Sequence, residues 1–205
     1  MSYLLFLSKK YDTITCGEFE TFLTEPKMGN KNKTKGKEMK KTKQNTLYLT
    51  RGALIAALYV VMTMIASMMG LSSGAIQFRI SEALCILPIF MPEAIPGLFI
   101  GCMISNILAG GVFWDVVFGS LATLIGAFGA YLLRRMPEKL MWVATVPTIL
   151  ANMIIVPPVL MIAYGVPDSF IYLALTVGLG EVVCAGLGGS GLYYLLKRNN
   201  LQWLK

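Results

Sequence analysis

Across residues 52–196 the chain carries ten charged side chains: Arg79, Glu82, Glu93, Asp115, Arg134, Arg135, Glu138, Lys139, Asp168 and Glu181. A water-soluble domain of that length needs far more charge to cover its outside. The uncharged runs between these residues are long enough to cross a lipid bilayer, which takes roughly 17–25 residues per helix. The chain therefore reads as an integral membrane protein.

Composition agrees, at 56% hydrophobic and 14% charged residues, with a mean hydropathy of +0.64. The net charge of +7 does not indicate nucleic-acid binding. Eleven of the 18 Lys and Arg stand at or before Arg51, and the rest cluster at the ends of apolar runs. There they are topology signals, and no nucleic-acid-binding motif accompanies them. Of the four cysteines, Cys85, Cys102 and Cys184 lie in apolar runs, where a free thiol is a small hydrophobe. None forms a CxxC, so no disulfide framework or zinc site is expected. The sequence contains no histidine. That removes Ser/His and Cys/His dyads, HExxH metal sites and His-ligated haem, and few acid–base candidates remain besides Glu181 and Asp115. No enzyme activity and no cofactor is expected.

Residues 1–45 read as a basic, disordered N-terminal arm, because their composition cannot bury a core. From Met39 the text MKKTKQNTLYLTRGALIAALYVV reads as a natural start for a bacterial membrane protein. The Lys-Gly-Lys-Glu before it fits the purine-rich codons of a ribosome-binding site. Residues 46–205 form the membrane domain.

Six apolar segments follow: about 49–69, 82–91, 93–109, 115–133, 140–164 and 169–196. The second is too short to cross alone unless it borrows loop residues or lies inside the bundle. The fifth is broken by Pro147 and Pro157-Pro158. Six crossings place the basic arm, the Arg134/Arg135/Lys139 loop and the Lys197/Arg198/Lys205 tail on one side, leaving Arg79 on the other. Under the positive-inside rule both termini are then cytoplasmic. The fold expected is an all-α, polytopic bundle of six transmembrane helices.

Ionisable groups inside a membrane are functional suspects. Glu181 sits mid-way along the last segment, in GLGEVVCAGLGG, and Asn152 mid-way along the fifth, in ILANMIIVPP. Antiparallel neighbours would hold them at one depth, although an interhelical amide bond is an equally good account of Asn152. Asp115, next to Trp114, opens the fourth segment at its outer end, and Asn106 lies near the outer end of the third. The stretch GAIQFRISEAL gathers Gln77, Arg79 and Glu82 around Phe78, and Arg79 and Glu82 at i,i+3 can pair on one helix turn. Glu93 at a helix start has a structural explanation. In the first segment Ala53 and Ala57 form a small-xxx-small face suited to close helix approach. No GxxxxGK[ST] motif is present, so the chain does not hydrolyse ATP itself. No two halves look alike, so an inverted-repeat transporter is not indicated.

The run GAIQFRISEALCILPIFMPEAIPGLFIGCMISNILAGGVFWDVVFGSLATLIGA, with the later PTILANMIIVPPVL and GLGEVV, strongly resembles the QueT family. These are substrate-binding S components of energy-coupling factor (ECF) transporters. The resemblance covers about residues 50–198, and the text before Met39 has no counterpart in it. It implies an S-component bundle in a bacterial cell membrane, with a membrane T component and two ATPase subunits as partners. Ala53 and Ala57 match the alanine face with which such proteins meet the T component. Family substrates are 7-deazaguanine bases or related queuosine precursors, captured from outside, and transport is thought to involve toppling of the S component. The residue chemistry is compatible. Glu181 would accept two adjacent N–H donors of a guanine-like edge. Asn152 or Gln77 would donate to its ring oxygen. Phe78 and Trp114 offer aromatic faces, and Asp115 would meet a cationic aminomethyl group. Arg79, Glu82 and Asn106 complete the candidate set. An S component for another vitamin-like heterocycle, or a structural membrane subunit, are the competing readings.

Overall fold

The computed structural model describes residues 31–71 and 78–198, with side chains from residue 42 onward. The chain divides into two units, Met1–Thr46 and Leu47–Lys205. Of the first, residues 31–46 are helical and residues 1–30 lie outside the description. The backbone from Lys31 is therefore helix, within the stretch read from sequence as an arm. Its Lys-rich composition is compatible with helix.

Among its described residues the second unit is an all-helical bundle. Helix α1 spans Lys31–Met68. A ten-residue 3₁₀ helix, α2 (Ile80–Ile89), follows. Then come α3 (Ala94–Leu108), α4 (Phe113–Leu132), α5 (Val146–Ala163), α6 (Phe170–Glu181) and α7 (Ser190–Arg198). A 3₁₀ run, Glu138–Thr145, leads into α5, and a π-helical run, Val182–Gly189, joins α6 to α7. Among the described residues four helical stretches are long and apolar enough to span a membrane: Thr42–Met68, Phe113–Arg135, Glu138–Ala163 and Phe170–Arg198. With the two short apolar helices α2 and α3 they account for the six apolar segments. This is the architecture of a polytopic membrane bundle.

Its surface is turned inside out relative to a soluble protein. Leu54, Ile65, Ile125, Ile154 and Leu187 are exposed, whereas Glu82, Thr123, Thr148 and Asn152 are completely buried. Lipid tails favour the first group, and each member of the second needs an internal partner.

The short second segment lies inside the bundle. Ser81 through Pro88 are all buried in α2. Runs of 3₁₀ helix this long are uncommon. The tighter coil rises about 2 Å per residue, so ten residues reach roughly 20 Å where an α-helix would reach about 15 Å. The expected break in the fifth segment is not found at Pro157-Pro158, because both prolines remain inside a continuous α5. Each removes an N–H and frees the carbonyl four residues earlier, a loss that membrane helices tolerate where neighbours cover it. Pro147 stands in the first turn of α5, where 3₁₀ gives way to α geometry.

Small residues set the helix spacing. A Cβ on Gly97 of α3 would lie 2.5 Å from the Gly52 carbonyl oxygen of α1, and one on Gly126 of α4 would lie 2.5 Å from Thr148 Oγ1 of α5. Glycine is required there for close backbone approach.

Ion pairs mark the two ends of the bundle. At one end Arg51 meets Glu93 at 3.1 Å, and Lys197 meets Glu138. At the other Arg79 meets Asp115 at 3.6 Å. Helix α3 closes at this second end with Gly110 at φ 77°. Gly111 N–H donates to the Asn106 carbonyl at 2.8 Å and Gly110 N–H to that of Ile107 at 3.1 Å. This Schellman pairing satisfies the last carbonyls and turns the chain tightly into α4.

Candidate functional site

The centre of the bundle is a carboxylate surrounded by donors. Glu82, in the first turn of α2, is completely buried. Its Oε1 accepts from the Tyr59 hydroxyl of α1 at 2.5 Å and from Thr123 Oγ1 of α4 at 2.8 Å. Its Oε2 accepts from the Cys85 thiol at 3.0 Å. Three helices therefore converge on one side chain. The i,i+3 ion pair of Glu82 with Arg79 that the sequence allows is not formed, and Arg79 pairs with Asp115. The backbone at Arg79, just before α2, is non-helical (φ −95°, ψ 82°), and its guanidinium turns instead to Asp115.

Beside this core lies a cavity of about 520 Å³, opening at the Arg79/Asp115 end. That volume is within the roughly 300–1,000 Å³ range of small-molecule sites. Phe78, Arg79, Asn106 and Asp115 line it, together with Tyr164, Asp168 and Tyr172, which the sequence did not single out. The Tyr164 hydroxyl donates to Asp115 Oδ2 at 3.2 Å, and Asn106 Nδ2 donates to the Asp115 carbonyl at 3.4 Å. Asp115 therefore already has a cation and a phenol as partners. Burial, and then the nearby Asp115 carboxylate, raise the Tyr164 phenol above its ordinary value, so it stays a donor at neutral pH.

The cavity wall ends at Leu160 on α5 and at Thr176 and Val177 on α6. Further along the same helix faces stand Asn152 and Glu181, 0% and 2% exposed. The two are close enough to interact by a side-chain hydrogen bond, and Arg79 and Glu82 lie within electrostatic reach of Glu181. Asn152 Nδ2 donates to the Thr148 carbonyl at 3.2 Å. This fixes the amide orientation, because the flipped form would set two oxygens against each other. Asn152 therefore holds its Oδ1 as an open acceptor and keeps a second N–H beyond the one given to Thr148.

The remaining candidates separate. Trp114 is half exposed and stacks on Phe118. It lines a wholly apolar groove between α4 and α5 with Pro158 and Ile162, apart from the cavity. Gln77 lies outside the described residues. Ala53 and Ala57 are exposed on α1. Among the residues that were missed, hydroxyl side chains dominate: Tyr59, Thr123, Thr148, Tyr164 and Tyr172. Hydroxyls are frequent in membrane helices and carry little signal alone. Thr148 alone had a usable cue, its i−4 spacing from Asn152.

The model of a family described as the QueT transporter matches residues 49–198. The chain belongs to the QueT transporter family. That match spans the six-segment bundle, and with the apolar helices it marks a multi-pass protein of the cell membrane. A queuosine precursor transporter QueT of Lactococcus lactis subsp. cremoris (strain MG1363) is 42% identical over 106 residues, covering 51% of this chain and 60% of that relative. The chain thus spans about 60% of the length of the curated relative it matches. No solved structure matches the chain.

Proposed function

We propose that this chain is the substrate-capture subunit of an ECF-type importer. It takes a queuosine precursor, a 7-deazaguanine base, from outside and delivers it inward with a membrane T component and two ATPase subunits. The observation that carries this reading is the cavity of about 520 Å³ at the end of the bundle that is poor in basic residues. By the positive-inside rule that end faces outward, since Arg51, Arg134, Arg135, Lys197 and Arg198 collect at the other. An outward mouth is what capture from the medium requires.

The lining suits a flat polar heterocycle. Phe78, Tyr164 and Tyr172 offer aromatic faces, and Asn106 and the Arg79–Asp115 pair offer hydrogen bonds. A cationic aminomethyl substituent would bind Asp115 in competition with Arg79. The similarity to a queuosine precursor transporter of Lactococcus supports the substrate class. The lack of a phosphate-binding loop supports a need for separate ATPases. Exposed Ala53 and Ala57 offer α1 as the face that meets the T component.

The test is a thermal-shift screen of the detergent-purified protein against 7-cyano- and 7-aminomethyl-7-deazaguanine, queuine and guanine, with riboflavin and thiamine as controls. A ligand at about 100 times its Kd stabilises by about 2.7 kcal/mol, a shift of several degrees. Selective stabilisation by a 7-deazaguanine is expected. A response to a control vitamin instead would overturn the substrate, and no response at all would return the chain to a structural role.

A further inference from the structure

Three buried oxygens have no hydrogen-bond partner among the described residues: Thr148 Oγ1, Asn152 Oδ1 and Glu181 Oε2. Thr148 and Asn152 are 0% exposed and Glu181 is 2% exposed. An orphaned buried polar atom is disfavoured by about 1–3 kcal/mol, and native structures seldom keep one without a reason. Here three occur on two packed helices. Thr148 and Asn152 stand one turn apart on α5, and Glu181 ends α6, where α geometry passes directly into the π-helical run. π geometry is rare in helices and frequent at functional sites. Gly126 leaves the space in which the Thr148 side chain sits.

The chemistry of the three atoms is uniform. A carboxylate oxygen and an amide oxygen only accept, and Asn152 has one of its two N–H bonds engaged with the Thr148 carbonyl. A hydroxyl oxygen accepts readily. By contrast, Glu82 nearby is saturated by Tyr59, Thr123 and Cys85, so nothing further is needed there. Three open acceptors call for an occupant with three N–H donors on one edge. A 2-amino-4-oxo pyrimidine ring has that edge: one ring N–H and two amino N–H bonds.

We propose that Thr148, Asn152 and Glu181 form a buried acceptor triad that reads the N–H edge of the bound heterocycle, and that Thr148 is a specificity-determining residue. This rests on the substrate-capture reading and deepens it. Glu181 lies one helical turn below the lining of the described cavity. Val177 lines the floor, and Glu181 is four residues further on, about 6 Å along the helix. On α5 buried Val156 separates Leu160 from Asn152. The edge therefore enters when the valine floor parts, and only a ligand with matching donors offsets the burial of its polar atoms.

The probes are 7-aminomethyl-7-deazaguanine and the same compound lacking the exocyclic 2-amino group, titrated against full-length detergent-purified wild type, Thr148→Val and Glu181→Gln. Valine keeps the shape of threonine and removes the oxygen. Wild type should prefer the 2-amino compound. Thr148→Val should weaken its binding at least tenfold while leaving the des-amino compound within threefold, and Glu181→Gln should weaken both. The ligand-free Tm of Thr148→Val should equal or exceed that of wild type, since an unsatisfied atom has been removed. Wild-type affinity for the 2-amino compound in Thr148→Val would overturn the triad while leaving the substrate reading intact, and so would a ligand-free Tm several degrees lower. A wild type blind to every 7-deazaguanine would remove both together.

Discussion

The Tyr59 hydroxyl of α1 donates to Oε1 of Glu82 in α2, and both side chains are sealed from the surface, 1% and 0% exposed. Thr123 joins them from α4 at 2.8 Å. Glu82 thus ties together the long first helix, the buried 3₁₀ plug and the wall of the cavity. Hydrogen bonds to a charged acceptor are worth about 1.5–3 kcal/mol each when their loss leaves buried groups unpaired.

Glu82→Gln places an amide donor against groups that are themselves donors. It is expected to destabilise the protein by about 3 kcal/mol, more than Tyr59→Phe at about 1.5 kcal/mol. Thermal unfolding in detergent reads both. A Glu82→Gln protein as stable as wild type would show that the carboxylate is not the hub.

The Arg79–Asp115 pair is mostly buried, with side-chain exposures of 16% and 14%. Asp115→Asn leaves the guanidinium without its counter-ion and should lower stability by about 2 kcal/mol. The double variant Arg79→Met/Asp115→Leu should lose less than the sum of Arg79→Met and Asp115→Leu, because neither charge is then stranded. Additive losses in that cycle would mean that the two side chains do not interact.

Backbone proximity gives a steric prediction. A methyl at Gly97 would meet the Gly52 carbonyl oxygen at 2.5 Å, whereas a methyl at Gly191 meets nothing within 4 Å. Gly97→Ala should cost about 1–3 kcal/mol by forcing α1 and α3 apart. Gly191→Ala should be neutral or slightly stabilising, since alanine is the better helix former. Equal Tm values for the two variants would contradict the close packing of α1 on α3.

Ala53 and Ala57 are exposed on α1. Ala53→Leu/Ala57→Leu is expected to leave the Tm of the isolated protein within about a degree, because no contact inside the bundle is altered. Co-purification with a co-expressed T component should be lost, since bulky side chains prevent close helix approach. Retained assembly would move the partner face away from α1.

The amino-acid sequence by itself determined the solvent of this protein. Ten charges across residues 52–196 leave lipid as the only surroundings the chain can tolerate. The uncharged runs then give six segments, and the buried polar residues Glu82, Asn106, Asn152 and Glu181 stand out because such groups are costly in apolar surroundings. These properties belong to single residues or single helices. The tertiary structure alone decided which polar groups meet. Arg79 faces Asp115 across the bundle and not Glu82 on its own turn. Trp114 turns away from the cavity beside its neighbour Asp115, and Thr148 emerges as the third open acceptor. The reason is rotational. A segment that is apolar all round carries no stripe to say which face looks inward. Helix rotation and axial offset are set by where Gly52, Gly97 and Gly126 let backbones approach, and by the 3₁₀ and π stretches that re-aim the side chains after them.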